Sequence, residues 1–433
     1  MLWPLSTIGD LFEMGAGKSV TPSARAGERS HPFLRTSNIY WGQVDVSQIS
    51  TMHFTDQEIE AKALCPGDLL VCEGGDIGRA AIWNGELELC SFQNHLHRLR
   101  PKVDNVVSRF VMYYLQAGFT QLNIYEGAGN KTTIPNLSRS RLAALQLPLP
   151  PKPEQQKIAA VLWKMQRAIA TQDRLIAATR DLKQSAMQHL FTHGLRGEPL
   201  KEAQVGPIPS SWLIASLSKV ARLERGRFTH RPRNEPRFYG GNTPFVQTGD
   251  VVRSQGQITK FTQSLNEEGV SISRVFPAGT ILITIAANIG FTGVLTFDSA
   301  CPDSLVGITP NKAMDTQYLA YYLQLQQPEM DRKAPKGTQK NINIQFLQPW
   351  PVVVPDLDEQ RAIATALATI DRKLAHHQRK RAALDDLFQT TLHQLMTAQI
   401  RVADLDIDTS EVTDHVPDVG NMVGKAAPRH TTS

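Results

Sequence analysis

The 433-residue chain carries the same sequence pattern twice, with a spacing of about 210 residues between the copies. A period of this length exceeds any solenoid unit, so it predicts two copies of a whole domain together with its connecting segment. Two such copies in one chain can act as a built-in dimer that presents two different binding surfaces. The clearest matching segments are residues 33–39 with 245–251, 66–71 with 278–283, and 148–159 with 351–364.

The character of the sequence changes once within each copy. The first part is rich in glycine, aromatic and β-branched residues, and its short apolar runs between turn residues predict buried strands in a mixed α/β (α+β) domain. A cluster of prolines, which are well tolerated just ahead of a helix, then precedes about 40 residues without proline or glycine. The predicted domains are two α/β domains at residues 1–150 and 197–350, two long helices at residues 151–196 and 351–402, and a C-terminal segment at residues 403–433.

The two proline-free stretches, residues 154–193 and 359–398, predict long helices. Forty helical residues form a rod of roughly 60 Å, and apolar residues recur along each rod at heptad spacing. Since such a stripe needs a partner, we predict that the two helices pair as an antiparallel coiled coil that also packs against another element. A plain core helix within each domain is the alternative. The expected seam residues are Ile158, Leu162, Met165, Ile169, Ile176, Ile363, Leu367, Ile370, Leu374 and Leu384.

The charge distribution favours a polyanionic partner. The whole chain has a net charge of +5, and residues 403–433 have a net charge of −4, which leaves +9 on residues 1–402. The acidic C-terminal segment is polar and lacks a helical period, so we expect it to be disordered.

The composition also predicts where the protein works. No window holds about 18 consecutive apolar residues, and the N-terminus lacks a secretion signal, so we expect a cytoplasmic protein without a membrane span. The four cysteines form no CxxC pair, which favours reduced thiols.

The order of an α/β domain, a proline-rich junction and a long helix that begins Glu-Gln-x-x-Ile, repeated once, resembles the specificity subunit of type I restriction–modification enzymes. Residues 154–158 and 359–363 carry this helix signature, and the resemblance covers about residues 1–402. It implies two target-recognition domains that read double-stranded DNA, and helices that hold two methyltransferase subunits. It also implies restriction subunits as partners. S-adenosylmethionine, ATP and Mg²⁺ would be cofactors of those partner subunits, with no catalytic residue and no metal in this chain.

Basic and amide side chains near the two glycine-rich segments, residues 127–134 and 336–342, or near the arginine-rich segment, residues 222–237, are the candidate DNA ligands. Arginine binds phosphate and can also read a guanine edge with two hydrogen bonds, and backbone N–H groups of a glycine-rich loop suit phosphate. A solvated basic loop is the alternative for the arginine-rich segment. The candidates are Lys18, Arg35, Asn94, Asn130, Lys131, Arg225, Arg227, Arg231, Arg233, Arg237, Lys336, Gln339 and Lys340.

Two motifs imitate catalytic sites. Residues 15–19 resemble the end of a phosphate-binding loop, but Phe12 stands where the pattern requires a glycine. Asp303 and the later Asp331–Lys333 stretch imitate the spacing of a metal-dependent nuclease, without a counterpart in the first copy. A DNA-recognition subunit is therefore favoured over two alternatives, a stand-alone enzyme with a fused nuclease and a coiled-coil scaffold that binds only proteins.

Overall fold

A computed structural model describes residues 3–27, 30–123, 125, 136–335 and 340–412 of the chain. The chain divides into two compact units, one formed by residues 1–173 with 379–433 and the other by residues 174–378. Each unit therefore combines one of the two α/β domains with one end of each long helix.

The first unit consists of small sheets and short helices followed by a long helix that continues into the second unit. The four-stranded antiparallel sheet has the order β2-β10-β7-β8, a second sheet has the order β6-β3-β9, and β1 pairs with β11. The elements are β1 (Leu5–Thr7), α1 (Ile8–Leu11), β2 (Phe12–Ala16), α2 (Pro22–Ala26), β3 (Ser30–Leu34), β4 (Ile39–Tyr40), β5 (Gln43–Val44), β6 (Ser50–His53), α3 (Asp56–Lys62), β7 (Leu69–Cys72), β8 (Ala80–Ile82), β9 (Ser91–Phe92), β10 (Leu96–Pro101), α4 (Ser108–Thr120), α5 (Arg139–Ala144), β11 (Gln146–Pro148) and α6 (Lys152–His193).

The second unit repeats this order and ends in the other long helix. Its larger sheets have the orders β15-β23-β20-β21-β17 and β18-β16-β22-β19, and β14 pairs with β24. The elements are β12 (Leu200–Lys201), β13 (Ile208–Pro209), β14 (Leu213–Ser216), α7 (Leu217–Val220), β15 (Ala221–Arg225), β16 (Tyr239–Phe245), α8 (Thr248–Arg253), β17 (Gln257–Ile258), β18 (Gln263–Leu265), α9 (Glu267–Ser271), β19 (Val275–Phe276), β20 (Ile281–Thr284), β21 (Thr292–Leu295), β22 (Ser299–Ala300), β23 (Leu305–Pro310), α10 (Thr316–Lys333), α11 (Ile344–Leu347), β24 (Pro351–Val354) and α12 (Leu357–Met396).

The strand registers show that the β2-β10-β7-β8 sheet and the β15-β23-β20-β21-β17 sheet share the same topology. Strand β10 lies between β2 and β7, as β23 lies between β15 and β20. Ala16 pairs with His97 in the first unit, and Arg225 pairs with Val306 at the corresponding place in the second. The predicted tandem duplication of an α/β domain is confirmed.

The Glu-Gln pair at the start of each long helix anchors the helix to its own domain. Gln155 is fully buried; its carboxamide accepts the N–H of Val107 at 2.9 Å and donates to the carbonyls of Asn105 and Pro150, both at 2.8 Å. Gln360 likewise accepts a backbone N–H at 2.8 Å and donates to two carbonyls. A buried amide with all of these bonds made fixes the direction of the helix.

The neighbouring glutamates join three segments of the chain. In the first unit the Glu154 carboxylate accepts the indole N–H of Trp3 at 3.3 Å and two guanidinium N–H groups of Arg401 at 2.6 and 2.8 Å. In the second unit Glu359 accepts the indole N–H of Trp212 at 3.1 Å and lies 3.6 Å from Arg196. In both units, therefore, an arginine a few residues after the end of one long helix pairs with a glutamate in the first turn of the other long helix.

The long helices run antiparallel in each unit, as predicted. In the first unit Asp173 of α6 pairs with Arg381 of α12 at 3.3 Å, while the start of α6 meets the residues after α12. In the second unit Lys183 of α6 pairs with Asp371 of α12 at 2.7 Å.

The predicted seam residues are partly shared with the α/β domains. Ile158 and Leu162 pack in one core with α4, and Ile363 and Leu367 pack in one core with α10. Ile176 and Leu374 are also buried, whereas Met165, Ile169, Ile370 and Leu384 are half-buried. The apolar stripe is wider than the surface that covers it, because three further leucines of the two helices are 38–52% exposed. These leucines are Leu175, Leu182 and Leu387.

The first residues of the acidic segment are ordered, in contrast to the expectation for residues 403–433. Val402 and Val412 are buried in the core of the first unit, and the Lys157 ammonium donates to the carbonyl of Ala403 at 2.6 Å. Arg167 pairs with Glu411. Val402, Ile407 and Val412 hold residues 402–412 along α6, and residues 413–433 lie outside the described part of the chain.

Candidate nucleic-acid interface

Several of the predicted DNA ligands that the structure describes lie at one end of each large sheet. Because β2, β10, β7 and β8 alternate in direction, the end of β2, the start of β10 and the turn between β7 and β8 lie at the same edge. The corresponding edge in the second unit is formed by the end of β15, the start of β23 and the turn between β20 and β21. We call these two edges the loop edges.

A glycine lets the chain cross close to its neighbour at the first loop edge. A Cβ atom on Gly17 would lie 2.2 Å from the backbone oxygen of Gln93, and the next residue, Lys18, donates its N–H to Phe92 at 3.0 Å. In the second unit a Cβ atom on Gly226 would likewise lie 2.2 Å from the backbone oxygen of Pro302. The glycine of the apparent phosphate-binding loop is therefore explained by close packing of two backbones.

The C-terminal ends of the two glycine-rich segments are held at the same edges. The N–H of Leu137 donates to Glu73 at 2.7 Å, and the N–H of Ile342 donates to Ile285 at 2.9 Å. The candidates Asn130, Lys131, Lys336 and Gln339 lie outside the described residues. Lys340 is described, and its ammonium pairs with Asp331 at 2.7 Å.

The arginine-rich segment of the second unit is organised by one carboxylate. Asp303, in the turn before β23, pairs with the guanidinium groups of Arg231, at 3.0 Å, and Arg233. Its backbone oxygen also accepts the Nε–H of Arg225 at 2.7 Å. This arrangement assigns Asp303 to the arginines and separates it from the nuclease-like pattern, in which Asp331 instead pairs with Lys340.

The other two predicted arginines, Arg227 and Arg237, are exposed. Arg227 donates from Nε and Nη2 to the carbonyl of Ser273 at 3.2 and 2.7 Å. Arg237 stacks over the ring of Phe238 with its guanidinium carbon 4.6 Å from the ring centre. Neither contact uses a negative charge, so both guanidinium groups keep their full charge toward solvent.

Segment 222–237 and its ion-pair partners form a surface that we call the arginine face. It bears seven arginines and three carboxylates, an excess that attracts a polyanion. Its charged residues are Arg222, Arg225, Arg227, Arg231, Arg233, Arg237, Arg274, Glu224, Glu235 and Asp303.

Among the described residues, the first loop edge carries fewer cations without a carboxylate partner than the arginine face. Lys18 pairs with Glu58, lies over the ring of Phe54 and is only 16% exposed, so it would have to leave Glu58 to reach a phosphate. The hydrogen bond from Lys18 lowers the pKa of Glu58. Arg35 is exposed, and Asn94 is half-buried with its N–H donated to the carbonyl of Lys18.

A comparison with family models identifies the family of this chain. A model described as the type I restriction modification DNA specificity domain matches the chain twice, over residues 2–178 and 209–385. The chain belongs to this family. The resemblance inferred from the sequence is thereby confirmed, including its two recognition domains in tandem.

Relatives and solved structures agree with the family. The MjaVIII specificity subunit of a type I restriction enzyme from Methanocaldococcus jannaschii is 24% identical over 423 residues, which cover 93% of this chain and 94% of that protein. A crystal structure of the type I restriction–modification S subunit from M. genitalium has a TM-score of 0.60 at 17% identity, covering 91% of this chain and 96% of that one. A structure from work on the assembly and conformational transition of the type I system has a TM-score of 0.57 at 19% identity, covering 91% and 97%. These two likenesses support the fold.

Two arginines of this specificity subunit were missed by sequence reasoning. Arg79, in the β7–β8 turn, pairs with Asp76, donates to the carbonyl of Thr36 at 3.0 Å and lies over the ring of Tyr40, which is 47% exposed. The available signal was the Asp76-Ile77-Gly78 segment just before Arg79, which matches Asn288-Ile289-Gly290 of the second copy. Arg274 reaches the arginine face from after α9, and no local pattern marks it.

His95, in the β9–β10 turn, and His97, in β10, have different surroundings. His97 is buried, its Nε2 lies 2.8 Å from the carbonyl of Leu137, and burial lowers its pKa, so the ring is neutral at pH 7. It ties the strand to the residue after the glycine-rich stretch and is structural. His95 is exposed.

The described residues contain no group of three or more His, Cys, Asp or Glu side chains arranged to hold a metal ion. Among the helices of the described ranges, none combines the length and apolar character that a membrane span requires.

Proposed function

We propose that this chain reads a two-part, asymmetric sequence in double-stranded DNA, with one half-site for each recognition domain. The carrying observation is that both units present the same loop edge with different side chains. Asn94 in the first unit corresponds to Asp303 in the second, and Lys18 corresponds to Arg227. Two modules of one design with different polar groups favour two different half-sites.

The proposal includes partner subunits that perform the chemistry. Two methyltransferase subunits would dock on the long helices, and restriction subunits would join them; these partners would use S-adenosylmethionine, ATP and Mg²⁺. The exposed Leu175 and Leu182, one heptad apart on α6, support docking on the helices, because isolated helices rarely leave such a stripe to water. The chain itself would have no catalytic activity.

The test is to map methylated adenines in cells that express the methyltransferase with and without this chain. We expect one bipartite motif that appears only when the chain is present. Hydrolysis of DNA by the purified chain would favour the fused-nuclease alternative, and methyltransferase binding without affinity for any duplex would favour the protein-only scaffold.

Alanine variants of the arginine face separate phosphate contacts from base contacts. Loss of a phosphate contact should weaken binding to every sequence alike and lower the salt slope by about one unit. Loss of a base contact should reduce discrimination at one base pair of the second half-site by roughly 5- to 150-fold. Arg361→Ala on α12 removes the same charge from an exposed helix position and is the matched control. If the arginine variants behave like this control, the arginine face is a solvated loop.

A further inference from the structure

The arginine face has two kinds of guanidinium group. Arg227 and Arg237 keep their charge, whereas Arg231 and Arg233 share the Asp303 carboxylate. A shared carboxylate cancels part of the positive charge, so these two arginines are poorly suited to attract phosphate through charge alone. What Asp303 gives these two guanidinium groups is a fixed orientation of their N–H donors.

The contacts of Arg231 fix its plane. Its Nη1 donates to the carbonyls of Phe228 and His230 at 2.6 and 2.8 Å, and its Nη2 donates to Asp303 at 3.0 Å. A guanidinium group has five N–H donors in one plane, so bonds at both terminal nitrogens set its orientation and leave other donors available. The side chain is still 50% exposed, so those donors reach solvent.

Arg233 is held in a similar way. Its Nη2 donates to the other carboxylate oxygen of Asp303, and the hydroxyl of Tyr239 donates to its backbone carbonyl. Arg233, Asp303 and Arg225 line an open cleft of 420 Å³, which is also lined by Asn341 near the end of the second glycine-rich segment. A cleft with oriented donors and an exposed amide suits a base edge, which is recognised by direction, better than a phosphate.

We propose that Asp303 is a positioning residue that sets the base preference of the second recognition domain by orienting Arg231 and Arg233 toward guanine edges. This inference rests on the proposed DNA-reading function. Guanine is the expected base because its O6 and N7 accept two parallel hydrogen bonds from one guanidinium group. The corresponding residue of the first domain is Asn94, which organises no arginines in the described part of that domain, so the device belongs to the second half-site alone.

The experiment compares full-length variants for binding to a library of duplexes with randomised half-sites, at several salt concentrations. Asp303→Asn removes the charge at nearly constant shape. Asp303→Glu keeps the charge and displaces the carboxylate. Asp298→Asn is the control, because Asp298 accepts the N–H of Ala278 at 2.8 Å in the same unit and has no arginine partner among the described contacts.

We expect both Asp303 variants to lose roughly 5- to 150-fold discrimination for guanine at one or two base pairs of the second half-site. The first half-site and the thermal unfolding temperature should match those of Asp298→Asn. Uniformly tighter binding of Asp303→Asn to all duplexes, with a steeper salt slope and unchanged base preference, would overturn the inference, since Asp303 would then only lower the charge. Unchanged preference in both variants would also overturn it.

The same experiment separates this inference from the function on which it rests. If the wild-type chain shows no sequence preference in either half-site, the proposed function fails. If the wild type discriminates in both half-sites and Asp303→Asn discriminates equally well, only the role of Asp303 fails.

Discussion

Replacement of Gly17 by alanine should destabilise the first loop edge by steric contact alone. The new Cβ would lie 2.2 Å from the oxygen of Gln93 and 2.4 Å from that of Phe92, and both are backbone atoms that cannot rotate away. An ordinary contact needs about 3.4 Å or more, so the backbones must separate by about 1 Å, and the Lys18–Phe92 hydrogen bond of 3.0 Å is lost. Overpacking of this kind costs about 1–3 kcal/mol in the free energy of unfolding.

The matched control is Gly74→Ala in the β7–β8 turn of the same unit. A Cβ there meets nothing within 4 Å, and neither glycine has the left-handed backbone conformation that disfavours alanine. Both substitutions reduce the entropy of the unfolded chain equally, so the difference between them isolates the steric cost.

Hydrogen exchange followed by mass spectrometry is the suitable assay, because it reports each segment separately in a chain with two compact units. Gly17→Ala should speed exchange at residues 16–19 and 92–95 and weaken binding to the first half-site, whereas Gly74→Ala should leave exchange at both segments unchanged. Equal protection of the Lys18 amide in the two variants would refute the close approach of these backbones.

Three further predictions concern the helices and the thiols. Ala168→Pro should cost α6 about 3 kcal/mol or more and prevent methyltransferase assembly, measured by circular dichroism and gel filtration; full assembly despite lost helix would contradict the docking proposal. Leu182→Gln, at a position 52% exposed, should keep the helix content and still weaken that assembly; unchanged affinity would remove Leu182 from the interface. Burial raises the pKa of Cys72 to about 11 and that of Cys90 to about 12, so iodoacetamide at pH 8 should label Cys65 well before either, as read by peptide mass; equal labelling of the folded chain would count against their burial.

The architecture could be predicted from the sequence because it is written in short-range patterns. The Glu154-Gln155 and Glu359-Gln360 pairs, the proline-free stretches and the heptad spacing each depend on residues a few positions apart, which set helix bounds and buried faces. The duplication then predicted that the helices pair antiparallel, since two like modules in one chain are most simply related by a two-fold axis.

The state of each candidate ligand could not be predicted, because it depends on contacts between residues distant in sequence. Lys18 looked like a free cation until the fold placed Glu58 against it, 40 positions along the chain. Asp303 looked like part of a nuclease motif until β23 brought it to Arg231, 72 positions earlier. The local sequence does not show which carboxylate a cation will pair with, because loop closure and strand pairing determine which residues come close together.

The acidic segment illustrates the same division. Its composition alone favours disorder, yet Val412 within it and Val402 just before it both reach the core beside α6. The sequence by itself determined two recognition domains, two long helices and the family. Only the tertiary structure decided which charged side chains form ion pairs inside each unit and which face solvent. Burial and ion pairing depend on residues that are distant in sequence and become neighbours only when the chain folds.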